Sequence, residues 1–459
     1  MNLPNYFFAD LPPEAELSPS MIAAACDTLK RNREKFLAPR STGEMIQLLS
    51  DVAAEWLRPE NQFRRLALDS GPAQTGFSKA TLEKGLIHFF GQFTPENLRV
   101  LVAQEFGDGV GVAGDLWPPM TPDNSPRTSP AIHHLWRGPR LMVHVAAGNI
   151  PNPTLMSLAL GLLTRSAQFV KCATGTSLLP RLFAHSIYEY DRKIGSCLEL
   201  AEWRGGNEPL ESALFAQANC VTATGSDETL AAIRTRLPAR ARFVGYGQRI
   251  SFGYIAREAL RDETLAELVA RAADDVVAWD QNGCLSPQVI YVEERGAVES
   301  DQFAARLAAE LMQREMTEPR GAISVEEAAD IASRRTLYET LAAHRGDAKL
   351  WQSQNSTAWT VIFEHDVRFR FSPLNRFIFV KPVPDLAAAL QGLDEVQDRV
   401  STVGVAAPPD KGHELARQFS GWGATRICPL GQMQNPPLTW RHDGRPALGD
   451  LVAWIDLER

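Results

Sequence analysis

Apolar residues recur at three- and four-residue spacing through MIAAACDTLKRNREKFL (21–37), STGEMIQLLSDVAAEWL (41–57) and SKATLEKGLIHFFGQF (78–93). That spacing is the mark of helices burying one face. The region from about Ser18 to Val102 is therefore expected to be helical, with Ser41, Thr42 or Ser78 as N-caps. The periodicity stops over Gly107–Pro139, a stretch rich in Pro, Gly, Asp and Ser with Trp117 and Trp136 embedded. It reads as a long irregular arm. A different rhythm then begins, in which short apolar runs alternate with helical spacing. Strands are expected at Arg140–Ala147, Ala167–Ala173, Cys197–Trp203 and Asn219–Gly225, with Arg242–Gly247 and Ser251–Ala256 closing the series. The intervening helices are Pro153–Leu163, Leu178–Tyr190, Pro209–Ala218 and Ser226–Leu237. Such units imply a parallel sheet covered on both faces, with right-handed crossovers. Open sheets of this kind bind ligands beyond the carboxyl ends of their strands.

A helix at Leu260–Trp279 leads into the loop DQNGCLSPQ (280–288) and a strand at Val289–Glu294. A second strand–helix region runs to about Pro429, and PPLTWRHDGRPALGDLVAWID (436–456) forms a tail.

Composition narrows the function. A net charge of −8 over 459 residues argues against nucleic acid, whose binding needs a clustered basic face. The longest nearly uninterrupted apolar run, Thr154–Leu163, falls short of the roughly 20 residues that span a bilayer. The acidic amino end lacks the order of a secretory signal. Six scattered cysteines without a CxxC pair suggest reduced thiols in a cytoplasmic protein, and Cys and His show no metal-ligand spacing.

Four segments could carry chemistry. Cys284 follows Asn282-Gly283, which permits a tight turn, and a thiolate there would be a strong nucleophile and acyl carrier. Any lone cysteine is more often a small buried hydrophobe, the reading given to Cys172, Cys197 and Cys220. Asn149, in AAGNIPNP (146–153), stands where a side-chain amide can donate to an oxyanion, although Gly-Asn before Pro is also ordinary turn chemistry. Lys171 ends a strand and Thr174 starts the turn after it; both are placed to meet a cofactor, or simply solvent. Gly225 and Ser226 open a helix, where free N–H groups favour phosphate, or where Ser226 is a plain N-cap. No GxGxxG follows the first strand, so a conventional Rossmann dehydrogenase is not supported.

In this order, GNIP (148–151), FVKCAT (169–174), TGSDET (224–229) and DQNGC (280–284) resemble the aldehyde dehydrogenase superfamily from about Arg140 onward. More closely, AAGNIP, GYGQRISFG (245–253) and CPLGQMQNPPLTWRHDG (428–444) are similar to the long-chain acyl-CoA reductases of bacterial luminescence systems and their relatives (LuxC-like). The resemblance implies an α/β fold of two domains with parallel sheets, a helical amino-terminal region and an oligomerisation-type arm and tail. Residues 1–110 and 139–257 would bind the cofactor and 258–436 would carry the nucleophile. Residues 111–138 and 437–459 would form the arm and tail. It also implies Cys284 as nucleophile, Asn149 in the oxyanion hole, Lys171 and Thr174 at the cofactor ribose, and Gly225 and Ser226 near its pyrophosphate.

Two departures refine the expectation. Gly245 stands where hydrolytic members carry a Glu, so a thioester would persist for reduction. Thr174 stands where NAD-preferring relatives often carry a Glu; losing that carboxylate relieves repulsion of a 2′-phosphate and favours NADPH. The expected reaction is reduction of a long-chain acyl-CoA to an aldehyde, in a homo-oligomer that an acyl-transferring protein could supply. The rivals are a hydrolytic aldehyde dehydrogenase and a non-catalytic docking module. His442, beside Asp443-Gly444, could bind a CoA phosphate or serve structure, and is expected to serve structure.

Overall fold

The computed structural model describes residues 3–12, 14–107, 111–112, 133–146, 148–346 and 348–457. Most of the expected irregular arm, and Ala147 of AAGNIP, lie outside the described residues. Five helices cover Pro19–Asn32, Thr42–Leu57, Gln62–Thr75, Lys79–Gly91 and Pro95–Phe106. Two of the foreseen caps are present. Ser41 accepts from the Glu44 N–H while Glu44 reaches back to the Ser41 N–H, and Ser78 accepts from the Thr81 N–H. These helices pack through aromatic contacts: Trp56 stacks on Phe90 at 4.7 Å and donates its indole N–H to Ser186 at 2.9 Å. Among the described residues no helix is long and apolar enough to cross a membrane, and no group of His, Cys, Asp or Glu could hold a metal.

The strands, in chain order, are β1 (Gly111–Val112), β2 (His133–Arg137), β3 (Leu141–Val145), β4 (Ala167–Cys172), β5 (Leu198–Glu202), β6 (Cys220–Thr224), β7 (Arg242–Tyr246), β8 (Ile250–Ile255) and β9 (Pro287–Glu293). They continue as β10 (Ala348–Gln352), β11 (Thr360–Glu364), β12 (Phe377–Val383), β13 (Val400–Ala406), β14 (Arg426–Pro429) and β15 (Ala453–Leu457). They form three sheets. A five-stranded sheet has the order β5-β4-β3-β6-β7, all parallel. A seven-stranded sheet has the order β10-β11-β12-β9-β8-β13-β14, with only β10 antiparallel to its neighbour. A small sheet, β1-β2-β15, joins the arm to the tail, Ala453 lying opposite Arg137.

Continuous burial along β3, β4, β6 and β8 matches the unbroken apolar runs expected of strands covered on both faces. One assignment changes. The run 251–256 does not close the first series: β8 pairs with β9 and β13 in the second sheet. The chain leaves the first sheet at Tyr246 and enters the second at Ile250, so β8 belongs by pairing to the second sheet. An apolar run reports burial, not which sheet it joins.

In the first sheet the order of strands reverses between β3 and β6, where a crevice opens at the carboxyl ends. Asn149 follows β3, and Gly225 and Ser226 follow β6, so both turns flank that crevice.

Candidate active site

The segment that holds Cys284 begins where the helix Leu265–Val277 stops, two residues before the helix end expected at Trp279. Three consecutive residues, Trp279, Asp280 and Gln281, have φ of 51°, 49° and 65°. This left-handed conformation costs a non-glycine residue about 1–2 kcal/mol, so three in a row require support from outside. The support is a second left-handed run, Leu374, Asn375 and Arg376, with φ of 60°, 55° and 65°. Fully buried Arg376 donates to the Asp280 carboxylate at 2.8 Å, and the Gly321 N–H donates to the same carboxylate at 3.0 Å. Gln281 donates to the carbonyls of Pro287 (2.8 Å) and Phe377 (3.0 Å) and accepts the Phe377 N–H at 2.8 Å. Asn282 donates to the Asn375 side chain at 3.2 Å.

Past this clamp, Ser251 donates to the Cys284 carbonyl at 2.8 Å. Gly283 is needed for space, not for turn conformation. A Cβ there would lie 2.5 Å from the Gln434 amide, and Gln434 itself donates to Ser286.

Cys284 is half-buried and lines a cavity of about 440 Å³. Apolar side chains dominate its wall, including Phe89, Ile150, Met156, Leu160, Leu285 and Leu438. Burial pushes the Cys284 thiol up to about 12, the Asp443 charge adds to the rise, and Arg249 opposes it. Cys172, Cys197 and Cys220 are fully buried in apolar surroundings, as their sequence context suggested.

Asn149 reaches the same loop. Its amide donates to the Asn282 carbonyl at 2.9 Å, two residues before Cys284. An amide nitrogen carries two N–H bonds, so one remains for an oxyanion.

The other expected residues gather at the carboxyl edge of the first sheet. Lys171 is buried near the end of β4. Desolvation lowers its pKa, while the Glu211 and Glu202 carboxylates act in the opposite sense. Among the described residues its amine has no hydrogen-bond partner. Thr174 is exposed in the following turn. Glu202, opposite Cys172 on β5, accepts the Gly175 N–H at 2.7 Å, so a carboxylate stands near Lys171 although Thr174 is not one. Ser226 is the N-cap of the helix Asp227–Arg236, accepting the Thr229 N–H at 3.2 Å, with Asp227 and Glu228 in the first turn. The Gly225 N–H donates to the Tyr246 carbonyl at 3.2 Å.

At Gly245 a side chain would first meet Phe243 at 3.0 Å and Leu230 at 3.3 Å. Neither residue lines the cavity, whereas the adjacent Tyr246 does. The carboxylates that do line it are all engaged: Asp274 and Glu318 with Lys84 and Arg314, and Asp275 with the N–H groups of Gly431 and Met433.

His442 was expected to serve structure. The tail brings it to the cavity that Cys284 lines. Its ring stacks on Tyr246 at 4.4 Å and packs against Trp440 at 4.6 Å. Burial lowers its pKa, with Arg249 and Arg445 acting in the same sense and Asp443 against it. Asp443 and Gly444 take φ of 53° and 74°, so the Asp-Gly pair after His442 was the available signal of a turn there.

The acyl-CoA reductase (LuxC) family model matches residues 37–454. The long-chain acyl-protein thioester reductase 2 of Photobacterium leiognathi is 22% identical over 325 residues, covering 69% of this chain and 64% of that one. The long-chain acyl-protein thioester reductase of Aliivibrio fischeri is 23% identical over 323 residues, with the same coverage. The matched stretch thus spans less than two thirds of those relatives. Among solved structures, an NAD-dependent benzaldehyde dehydrogenase from Corynebacterium glutamicum superposes with a TM-score of 0.70 at 14% identity, over 96% of this chain and 91% of that one. The Delta-pyrroline-5-carboxylate dehydrogenase from Mycobacterium tuberculosis gives 0.68 at 14% identity, over 97% and 83%. The fold is therefore that of the aldehyde dehydrogenases.

Proposed function

We propose, from the premise that this chain belongs to the acyl-CoA reductase (LuxC) family, that it reduces a long-chain fatty acyl thioester to an aldehyde with NADPH through an acyl-Cys284 intermediate. One observation carries the reading: Cys284 faces a mainly apolar cavity, and its loop is tied to the Asn149 amide. Each methylene buried in such a cavity contributes about 0.8 kcal/mol, which selects for a long acyl chain. The thioester is that of CoA in the family's description and of a protein in the relatives' names; both present the same carbonyl to Cys284.

In the forward reaction the Cys284 sulfur attacks the thioester carbonyl. The free N–H of Asn149 and the Cys284 backbone N–H hold the oxyanion, and the donor thiol departs. The apolar wall keeps the acyl chain aligned and water away. A nicotinamide coenzyme, when bound, supplies the hydride. Lys171, whose amine is unpartnered at the carboxyl edge of the first sheet, fits a ribose hydroxyl or phosphate oxygen. Thr174 borders that place, and the turn at Gly225 and Ser226 borders the pyrophosphate. In this reading the first sheet and its helices serve the coenzyme and the second sheet carries the nucleophile. The arm and tail serve contacts between copies in a cytoplasmic homo-oligomer, and a protein partner can deliver the acyl group.

The engaged carboxylates of the cavity, and a Gly245 whose side-chain direction misses it, favour reduction over hydrolysis. Mixing enzyme with acyl-CoA alone is expected to release about one equivalent of CoA in a burst, then little more. NADPH should drain the acyl group to aldehyde, and a fresh thiol should drain it to a new thioester. Rapid, continuous fatty-acid release without NADPH would overturn the reading in favour of a hydrolytic enzyme.

A further inference from the structure

The reaction proposed above begins with a thiol whose own environment holds its proton, so some group must accept it. We propose that His442 is that acceptor and that Asp443 and Arg249 position it. The inference rests on Cys284 being the nucleophile and goes further, assigning the base.

The geometry carries it. His442 and Cys284 line one cavity, although they come from distant parts of the chain. The imidazole is clamped between two rings, parallel to Tyr246 within 11° at 4.4 Å and tilted by 33° to Trp440 at 4.6 Å. Its Nε2 lies 3.9 Å from Oδ1 of Asp443, an oxygen that is buried and accepts no hydrogen bond. The other oxygen, Oδ2, is held by Arg249 at 3.1 Å. At 3.9 Å Nε2 and Oδ1 make no hydrogen bond, but the Asp443 charge favours an N–H on the nitrogen facing it, and we assign the Nδ1 lone pair as the acceptor. Asp443 and Arg249 are also the two side chains whose charges act on the Cys284 thiol, which puts thiol, imidazole and ion pair in one electrostatic neighbourhood.

Burial and the neighbouring Arg249 and Arg445 hold the His442 pKa below its ordinary value while Asp443 opposes them, which favours the neutral ring. A neutral imidazole is the form that can take a proton. The remaining titratable residues on the cavity wall are Lys84, His88, Asp274, Asp275, Tyr246 and Glu318. Lys84, Asp274 and Glu318 are paired with one another or with Arg314, and Asp275 accepts two backbone N–H groups.

The steps balance. Nδ1 of His442 takes the Cys284 proton as sulfur bonds to the carbonyl carbon. The tetrahedral species breaks its bond to the donor sulfur, which leaves with that proton as free thiol. After hydride transfer, collapse releases aldehyde and Cys284 thiolate, and one proton from solvent restores the resting pair.

The test reads the pair without substrate. Alkylation of Cys284 by iodoacetamide is followed from roughly pH 6 to 9, with the labelled peptide identified by mass spectrometry. In the unmodified protein the rate should rise through the acid range to a plateau by neutral pH, as assistance by a neutral imidazole requires. In His442→Gln it should rise about tenfold per unit, as for an unassisted thiol, and lie at least tenfold lower at pH 7. Added imidazole should recover the rate in His442→Gly. Superimposable profiles for the unmodified protein and His442→Gln would overturn the proposal. So would a steady tenfold-per-unit rise in the unmodified protein, a measurement that needs no variant to fold. If alkylation is assisted but neither acyl-CoA nor acyl-protein is reduced, the reductase reading fails and the base assignment stands.

Discussion

At the scale of single residues, Asn149 and Thr174 give the sharpest expectations. Asn149→Ala should lower turnover about 10²–10³-fold while leaving the protein folded, the usual cost of losing one oxyanion donor; an unchanged rate would return Asn149 to turn chemistry. Thr174→Glu should move the ratio of kcat/KM values from NADPH toward NADH, because a carboxylate repels a 2′-phosphate. Glu202 refines that argument. It is the carboxylate left near Lys171, so Glu202→Gln should strengthen the preference for NADPH, and steady-state kinetics with both coenzymes checks the pair. Glu202 could not be weighed from the sequence, since its closeness to Lys171 depends on β5 lying beside β4. The turn around Cys284 and the strand end at Lys171 were legible because they are read from adjacent residues, whereas the roles expected of them came from the family resemblance. The setting of His442 was not, because Tyr246 and Arg249, which surround it, and Cys284, which lines the same cavity, lie far away along the chain.

At the scale of elements, the two left-handed turns at 279–281 and 374–376 form one device. Arg376 neutralises Asp280 in the interior. Arg376→Met should therefore leave a buried carboxylate uncompensated and cost about 3–5 kcal/mol, read by urea unfolding. Cys284 should also lose its distinct reactivity, since the loop preceding it would no longer be held. A shift below about 1 kcal/mol would show that the clamp is not needed. None of these six residues is glycine; Asp280 and Asn375 tolerate the left-handed region, but Trp279, Gln281, Leu374 and Arg376 do not announce it, and the tertiary contacts of Asp280, Gln281 and Arg376 hold it. The parallel strands, by contrast, were legible from apolar runs alone, and only the sheet membership of β8 was misplaced.

At the scale of the molecule, Asp275 links stability to pH. It holds the N–H groups of Gly431 and Met433, which lead the chain toward Trp440 and His442. Burial raises its pKa from 3.8 to about 7. An acid raised in the fold keeps its proton where the unfolded chain has lost it, so its contribution is favourable at low pH and is lost as pH rises through about 4 to 7. Asp275→Asn should remove that fall. Thermal unfolding from pH 5 to 8 should show the variant gaining on the unmodified protein toward the alkaline end, and parallel curves would contradict the assignment.

The clamp around Cys284 also bears on how the protein is made. The thiol's neighbours arrive as the chain grows from its amino end: Asn149 and Arg249 precede it, Arg376 follows well after, and Gln434 and His442 come later still. During synthesis Cys284 is therefore an ordinary cysteine in an unsupported loop. The contacts around its loop are complete only when the late segments dock, so on the function proposed above a nascent or truncated chain is expected not to react with acyl thioesters.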